Sequence, residues 1–520
     1  MIPDLIAIIQ APDSNFQKRR RADTLLQSYI DMLIEIRSQQ NEHAYGIDVV
    51  NEIFKLTDAR YSQVGSALGE SSARAASLAD PELAELVRQE QLSPEEALIA
   101  IWTLEEKTCV WAIPHLGNTA FTVVDLGEET LRKKVGRLRQ ALRPSVRMLS
   151  EIPEFDLDTA FEIYDRLLHP VESGWGNARS LVVVVKGPLD QIPLAVLPTE
   201  KVKPVPDSTL RFDKYRKVPW LIRKTSITRL PSAAALLTLR ALPAPDPKRD
   251  PFAGFGDPIF SLDQLQQTPV SHATLPQPDT STGDIAIRGI RISDKGEGLD
   301  SNKLSSVRIE HLCRLPDTAD EIRQIAASLG ADASQDVFLE KAATETVVKT
   351  RDFSRKKILV FATHALLPGD LDGLTQPALA FSAPEVTGLD EDGLLTLGEI
   401  LTLKLDADLV VLSACDTGAG DGSGSEAVSG LGRAFFYSGA RALLVTMWPV
   451  ETTSANKLTT GLFQIHREQT DLSCARAQQQ SILRLMDDPG LKDTKGVAAA
   501  CYAHPIFWGP FAVIGASGAR

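Results

Sequence analysis

Short apolar runs rich in β-branched residues recur from about residue 180 onward, and they constrain the fold more than any other feature. The run at 181–185 contains no polar residue, as expected of a strand buried on both faces. Helical patterns at 318–329, 425–438 and 453–467 lie between several such runs. This alternation predicts an α/β fold with a mostly parallel sheet flanked by helices. The other predicted strands are PFAGFGDPIF (251–260), KKILVFATH (356–364), DLVVLSAC (408–415), RALLVTMW (441–448) and PFAVIG (510–515).

The part before these runs has a different character. Residues 1–92 carry apolar side chains at three- and four-residue steps, which predicts a helical segment. It is either the end of a helical repeat array or a lobe that recruits a partner, because one or two helix pairs cannot establish a repeat. Residues 93–149 are interpreted as a hairpin, with strands at 97–103 and 108–113, and a connecting helix. Since SPEE (93–96) also matches a capping box, a helix start there is the competing interpretation.

The remaining residues, 150–520, are interpreted as one α/β domain. It divides into an N-terminal half (150–250) and a half that carries the candidate chemistry (251–520). Within the second half, 262–306 is rich in Ser, Thr, Asp, Gly and Pro, which predicts a long exposed loop. Such a loop is also a predicted site of proteolytic nicking.

Charge and cysteine content exclude several classes of function. With 520 residues and a net charge of −13, the chain is acidic, so no direct nucleic-acid partner is expected. The basic cluster at 18–21 is interpreted as a solvated helix face. Five cysteines, an odd number, fit a reducing compartment better than a disulfide framework. No signal peptide or membrane-length apolar run is evident, which predicts a cytoplasmic protein without a membrane partner.

Two predicted strands end in residues capable of nucleophilic chemistry. His364 ends one strand, and Cys415 ends the next, followed by DTGAGDGSGSEA. Functional groups gather at the carboxyl ends of the strands in a doubly wound sheet. If the two strands are neighbours, about 4.8 Å apart, the imidazole and the thiol come near hydrogen-bond reach. An adjacent imidazole can take the proton of a thiol, and the backbone N–H groups of Cys415 and Ala365 are candidate oxyanion donors.

Other interpretations of these residues compete with this one. Taken alone, Cys415 fits an ordinary buried cysteine, and His364 fits a hydrogen-bonded loop histidine. The stretch 422–427 formally matches the dinucleotide-binding pattern G-x-G-x-x-A, but its first glycine lies far beyond the strand end. Cys501 and His504 have suggestive spacing, yet two ligands do not make a zinc site. No metal and no cofactor are therefore predicted.

Several blocks of the sequence together resemble a known family. LVFATHA, LTLGEILTLKLDADLVVLSACDTGAG, GLGRAFFYSGARALLVTMWPVE and HPIFWGPFAVIG occur in the order found in the CHAT family of caspase-like cysteine peptidases. SLVVVVKGPLDQIPLAVLP and VPWLIRKTSITRLPSAAAL are similar to the family's N-terminal blocks. The resemblance covers about residues 150–517. Members often follow tetratricopeptide-type repeats, which fits a repeat-derived origin for the N-terminal segment.

The resemblance implies a caspase-type fold with His364 as general base and Cys415 as nucleophile. The 51 positions between them match the roughly 50 that separate the two residues in caspases. Relatives often have glycine where this chain has Ala365. The expected function is a cytoplasmic cysteine endopeptidase of a regulated signalling or defence process. It would cleave a protein partner, and a regulatory protein would bind the N-terminal helices. The alternatives are a non-catalytic caspase-like scaffold and, more remotely, a nucleotide-binding protein.

The resemblance also suggests a first specificity pocket beside the catalytic pair. Asp257 ends the first strand of the second half, and Asp416 follows the candidate nucleophile. Trp448 and Glu451 end the next strand. An acidic side chain in this pocket would favour Arg or Lys in the substrate. The competing interpretation is that Asp257 begins a turn and Asp416 caps the glycine-rich loop.

Overall fold

The structure, a computed structural model, describes most of the chain beyond residue 91. The N-terminal helical segment predicted at 1–92 lies outside the described residues except for Leu92, and so does most of the predicted loop at 262–306. The described ranges are 92–143, 148–203, 207–208, 210–230, 233–240, 242–266, 287–288, 308–413, 423–492 and 498–516.

Strands and helices alternate through these ranges. The strands are β1 (Glu96–Thr103), β2 (Thr108–Pro114), β3 (Ala120–Val124), β4 (Ser180–Lys186), β5 (Ser226–Leu230), β6 (Asp250–Gly256), β7 (Ile287–Arg288), β8 (Val337–Leu339), β9 (Lys356–Ala362), β10 (Ala365–Leu366), β11 (Ala378–Ala380), β12 (Leu394–Thr396), β13 (Leu409–Leu412), β14 (Ala442–Thr446), β15 (Val450–Glu451), β16 (Leu491–Lys492), β17 (Ala498–Ala500) and β18 (Phe511–Gly515). The α-helices are α1 (Glu128–Leu142), α2 (Leu157–Leu167), α3 (Leu221–Lys224), α4 (Ala233–Arg240), α5 (Leu262–Gln266), α6 (Asp317–Leu329), α7 (Ala333–Asp336), α8 (Glu345–Thr350), α9 (Pro384–Thr387), α10 (Leu397–Ile400), α11 (Ser423–Tyr437), α12 (Thr452–Glu468), α13 (Cys474–Asp487) and α14 (Pro505–Trp508).

One 11-stranded sheet forms the centre of the described structure. Its strand order is β3-β2-β1-β4-β5-β18-β14-β13-β9-β6-β8. The β1–β2, β2–β3 and β14–β18 pairs are antiparallel, and all other neighbours run parallel. The predicted α/β class with a mostly parallel sheet is therefore confirmed.

The alternation of side chains along the central strands builds a core on each face of this sheet. In β9, Val360 packs on the face covered by α1, α2, α6, α12 and α13, whereas its neighbour Phe361 packs on the face covered by α8, α10 and α11. In β13, Val411 and Leu412 divide between the same two faces. Because both faces are covered by helices, β13 and the buried part of β9, from Ile358 to Ala362, contain only apolar residues.

The hairpin predicted near residue 100 is present and belongs to this sheet. Strand β1 pairs antiparallel with β2 and parallel with β4, with Ala97 opposite Leu181. The β-branched and aromatic residues of β1 and β2 favour the strand over the competing helix start.

Two short elements lie within the stretch predicted as a long loop. One is α5, which contains Gln264; its side chain accepts a hydrogen bond from the Phe260 N–H and donates one to the Leu312 carbonyl. The other is β7, which pairs with β15. Among the described helices, none is long and apolar enough to cross a membrane.

Candidate active site

The strands that carry the two predicted catalytic residues are neighbours in the sheet. Strands β9 and β13 run parallel, with Phe361 opposite Leu412. The ladder extends one step further, because the Ser413 N–H donates to the Phe361 carbonyl at 3.0 Å. His364 follows Phe361 by three positions, and Cys415 follows Leu412 by three positions. The prediction that His364 pairs with Cys415 required these two strands to be neighbours, and they are.

Cys415 itself lies outside the described residues, as does Asp416. The pairing of the thiol with the imidazole and the use of the Cys415 N–H as an oxyanion donor stay predictions.

His364 is buried and held by the backbone of a distant segment. Its side chain is only 1% exposed, and its Nε2 lies 2.7 Å from the Cys313 carbonyl oxygen. Since a carbonyl oxygen only accepts hydrogen bonds, Nε2 must carry the proton. In the neutral ring, Nδ1 is then the basic nitrogen. Phe260 packs beside the imidazole, with ring centroids 5.5 Å apart.

The surroundings of His364 favour the neutral ring. Burial lowers its pKa from the ordinary value of 6.5, because an apolar environment disfavours the charged form. The hydrogen bond to the Cys313 carbonyl and the nearby Asp317 carboxylate act in the opposite direction. His364 is thus a neutral base with one nitrogen fixed by the backbone.

Ala365 begins a small antiparallel sheet beside this site. The Ala380 N–H donates to the His364 carbonyl at 2.9 Å, and Ala365 lies opposite Leu379. Opposed residues in an antiparallel ladder alternate between hydrogen-bonded and non-hydrogen-bonded pairs. The Ala365 N–H therefore points away from the β10–β11 ladder.

Asp257 lies at the end of β6 and already has a basic partner. It is 2% exposed, and its two oxygens accept hydrogen bonds from Nε and Nη2 of Arg314, each at 2.7 Å. Burial raises the pKa of the Asp257 carboxyl, whereas the bonded guanidinium acts to lower it. Arg314 also donates to Glu340 at 2.9 Å. An arginine or lysine of a substrate would have to replace this guanidinium to reach Asp257.

Glu451 and Trp448 are packed within the protein. The Glu451 carboxylate accepts hydrogen bonds from the N–H groups of Thr453 and Ser454, at 2.9 and 2.7 Å, and so caps helix α12. Burial raises the pKa of this carboxyl. Trp448 is 2% exposed, and its Nε1 donates to the Ile506 carbonyl at 3.5 Å. Specificity roles for these residues remain predictions.

Sequence reasoning missed the segment from Cys313 to the second turn of α6. Cys313 has no chemical signal, because its backbone carbonyl is what contacts His364. The side chains of Asp317, Thr318 and Glu321 are all buried. Glu321 offered a signal, since it lies one turn before Ile325 on the apolar face of a predicted helix.

The other pair with a suggestive spacing shows no metal-binding arrangement. His504 is fully buried, its Nδ1 accepts a hydrogen bond from the Ile506 N–H at 3.1 Å, and burial lowers its pKa to about 3. Within the described ranges, no group of three or more His, Cys, Asp or Glu side chains is arranged to hold a metal ion.

The fold and the site define an α/β protein with a buried histidine at the carboxyl end of a strand in a central, mostly parallel sheet. The family model described as CHAT domain matches residues 157–516. The chain therefore belongs to the CHAT domain family, as the sequence blocks predicted.

Comparison with solved structures finds separase from Saccharomyces cerevisiae, in two crystal structures of the separase–securin complex. One has a TM-score of 0.43 and 10% identity, covering 96% of this chain and 37% of the other. The second has a TM-score of 0.41 and 12% identity, covering 98% and 37%. This chain thus spans little more than a third of the separase chains. Comparison with curated proteins found no match.

Proposed function

We propose that this CHAT domain protein is a cysteine endopeptidase in which Cys415 is the nucleophile and His364 is the general base. The observation that carries the proposal is the parallel pairing of β9 with β13, because in the sequence His364 and Cys415 each follow the paired positions Phe361 and Leu412 by three residues. The buried imidazole supports it further, since its fixed Nε2–H leaves Nδ1 as the base.

In the proposed reaction, Nδ1 of His364 takes the thiol proton as the Cys415 sulfur attacks the carbonyl carbon of the substrate peptide bond. The imidazolium then gives this proton to the leaving amine as the C–N bond breaks, which leaves a thioester on Cys415. In the second half, Nδ1 takes a proton from water, and the resulting hydroxide attacks the thioester. The C–S bond then breaks, the imidazolium returns its proton to the Cys415 sulfur, and a carboxylic acid product is released.

The Cys313 carbonyl has a positioning role in this scheme. Its hydrogen bond keeps the ring in one tautomer, and it stabilises the imidazolium that forms during attack. Asp317 acts in the same direction through its negative charge. The oxygen that becomes negative would be met by the N–H groups of Ala365 and Cys415. The orientation of the Ala365 N–H, away from the β10–β11 ladder, supports its part in this.

The expected substrate is a protein. We propose that the N-terminal segment recruits a regulatory partner and that the protein acts in the cytoplasm without binding nucleic acid. Asp257 is not part of the proposed substrate contact, because Arg314 occupies both of its oxygens.

A thiol-reactive peptidyl probe tests the proposal. We expect labelling of Cys415 in the unmodified protein, and loss of several orders of magnitude in proteolytic rate in both Cys415→Ala and His364→Ala. Cys474→Ala is the matched control, because burial raises the pKa of that thiol to about 12 and makes it a poor nucleophile. Proteolysis at the normal rate by Cys415→Ser would contradict the thiolate mechanism.

A non-catalytic scaffold is the second candidate. Its support is the burial of His364, which is also what a hydrogen-bonded core histidine shows. If the protein is a scaffold, the probe does not label the unmodified protein, and Cys415→Ala still binds the partner. If the protein is a peptidase, the probe labels the unmodified protein, and Cys415→Ala loses this labelling. The same two measurements therefore distinguish the candidates.

A further inference from the structure

A fully buried carboxylate lies beneath the strand that leads to Cys415. Glu321, on α6, has 0% exposure. Its Oε1 accepts a hydrogen bond from the Ser413 hydroxyl at 3.2 Å and another from the Thr459 hydroxyl at 2.8 Å. The Thr459 hydroxyl shares its proton with the Ala455 and Asn456 carbonyls, at the longer distances of 3.0 and 3.2 Å. These donors come from two different elements, the end of β13 and the middle of α12. Glu321 thus bridges the strand end to a helix on the same face of the sheet.

The position of Ser413 explains why this contact bears on the candidate nucleophile. Its N–H continues the ladder with β9, and its side chain turns toward the face that carries α6. Cys415 follows only two positions later. Ser413 is therefore the last described point at which the chain is held before the nucleophile, and its hydroxyl is held by Glu321.

The same helix holds a neighbouring strand end. The Thr318 hydroxyl accepts a hydrogen bond from the Asp257 N–H at 2.7 Å, just beyond β6. Asp317, in the first turn, acts on the charge of His364 beyond β9. With Glu321 on Ser413, side chains from the first two turns of α6 reach the ends of three adjacent strands.

We propose that Glu321 is a positioning residue for Cys415, acting through Ser413 and with Thr459 as its anchor on α12. This inference rests on the proposed peptidase function. The physical reason is that Glu321 Oε1 is buried, so moving either hydroxyl away from it costs a hydrogen bond that water cannot replace. The strand end at Ser413 is thereby fixed, two positions before Cys415 in the sequence.

Variants of Glu321 separate position from charge. Glu321→Gln keeps the reach and one carbonyl oxygen but removes the charge, whereas Glu321→Asp keeps the charge and shortens the side chain. With the peptidyl probe, we expect Glu321→Asp and Ser413→Ala to lower the saturating labelling rate at Cys415 about 10- to 100-fold, since small misplacements cost this much. The probe concentration at half-saturation should stay unchanged. The labelling rate of Glu321→Gln should be close to normal. The rate of Thr459→Val should lie between that of Glu321→Gln and that of Glu321→Asp.

Two buried hydroxyls provide matched controls. Ser438 donates to the Ile400 and Ala434 carbonyls, and Thr460 donates to the Asn456 carbonyl. Ser438→Ala and Thr460→Val remove comparable hydrogen bonds without touching Glu321, so they should label at the normal rate. Thermal unfolding of each variant identifies losses that arise from destabilisation alone.

The outcomes separate the two proposals. Normal labelling of Glu321→Asp and Ser413→Ala overturns the positioning role and leaves the peptidase function intact. A Glu321→Gln loss as large as that of Glu321→Asp also overturns it, because charge would then be what matters. Absence of labelling in the unmodified protein counts against the peptidase instead. In that case, the rate at which iodoacetamide alkylates Cys415 in each variant tests the positioning role. Equal rates in all variants overturn it. Slow alkylation of Glu321→Asp and Ser413→Ala, with Thr459→Val intermediate and Glu321→Gln near normal, supports it.

Discussion

At the scale of single residues, the candidate site depends on burial and hydrogen bonding, which give the two nitrogens of His364 different roles. The Cys313 carbonyl accepts a hydrogen bond from the protonated Nε2, and burial disfavours a second proton on the ring. A base buried in this way remains neutral under conditions in which an exposed imidazole is already charged.

The pH dependence of labelling follows from this shift. Because burial lowers the pKa of His364 from 6.5, the acid limb of the saturating labelling rate at Cys415 should lie below pH 6.5. The neutral ring contributes stability at pH values above the pKa of His364 in the unfolded state. This contribution is lost as pH falls through the lower pKa of the folded state. Rate measurements across this range check the prediction, and an acid limb at or above pH 6.5 would contradict it.

At the scale of elements, helix α6 and strand β6 approach closely, and a glycine makes this possible. A Cβ added at Gly256 would lie 2.9 Å from Cγ1 of Ile322 and 3.0 Å from the Thr318 carbonyl oxygen. Both neighbours belong to α6. The helix that carries Glu321 therefore sits where it does because β6 ends without a side chain at this point.

Gly256→Ala should push α6 away from the sheet. We expect a loss of about 1–3 kcal/mol in the free energy of unfolding, as for other overpacked cores, together with slower labelling of Cys415. Gly136→Ala is the control, since nothing lies within 4 Å of its added Cβ and alanine favours a helix interior by up to about 1 kcal/mol. Urea unfolding measures both, and equal stability of the two variants would refute the close-packing argument.

At the scale of the whole molecule, the central sheet contains strands from both sides of residue 150, the predicted start of the α/β domain. Strand β4 pairs with β1, which lies before that boundary, and with β5, which lies after it. Leu181 and Val183 of β4 belong to the same core cluster as Ile99 of β1. The hairpin region thus contributes to the core of the α/β domain.

A chain beginning at residue 150 should consequently be less stable than one beginning at residue 92. The shorter chain loses β1–β3 and α1, which exposes β4 as an edge and uncovers side chains worth about 1.5–3 kcal/mol each. Soluble yield and urea unfolding of residues 150–520 against residues 92–520 test this. Equal stability would show that the region at 93–149 is dispensable for the fold.

The sequence by itself determined the α/β class, the family and the strand that leads to His364, which ends at Ala362. These features are local: apolar periodicity reports burial residue by residue, and the family blocks are read in order along the chain. The hairpin near residue 100 was likewise readable, because β-branched and aromatic residues fill both of its strands.

Only the tertiary structure decided what those residues meet. The order of the strands makes β9 a neighbour of β13, and it brings the Cys313 carbonyl to an imidazole 51 positions away. The same folding gives Asp257 an arginine of its own chain and Glu321 two hydroxyl partners. Such contacts are made between backbone and side-chain groups that no local pattern links, and they exist only once the elements have packed.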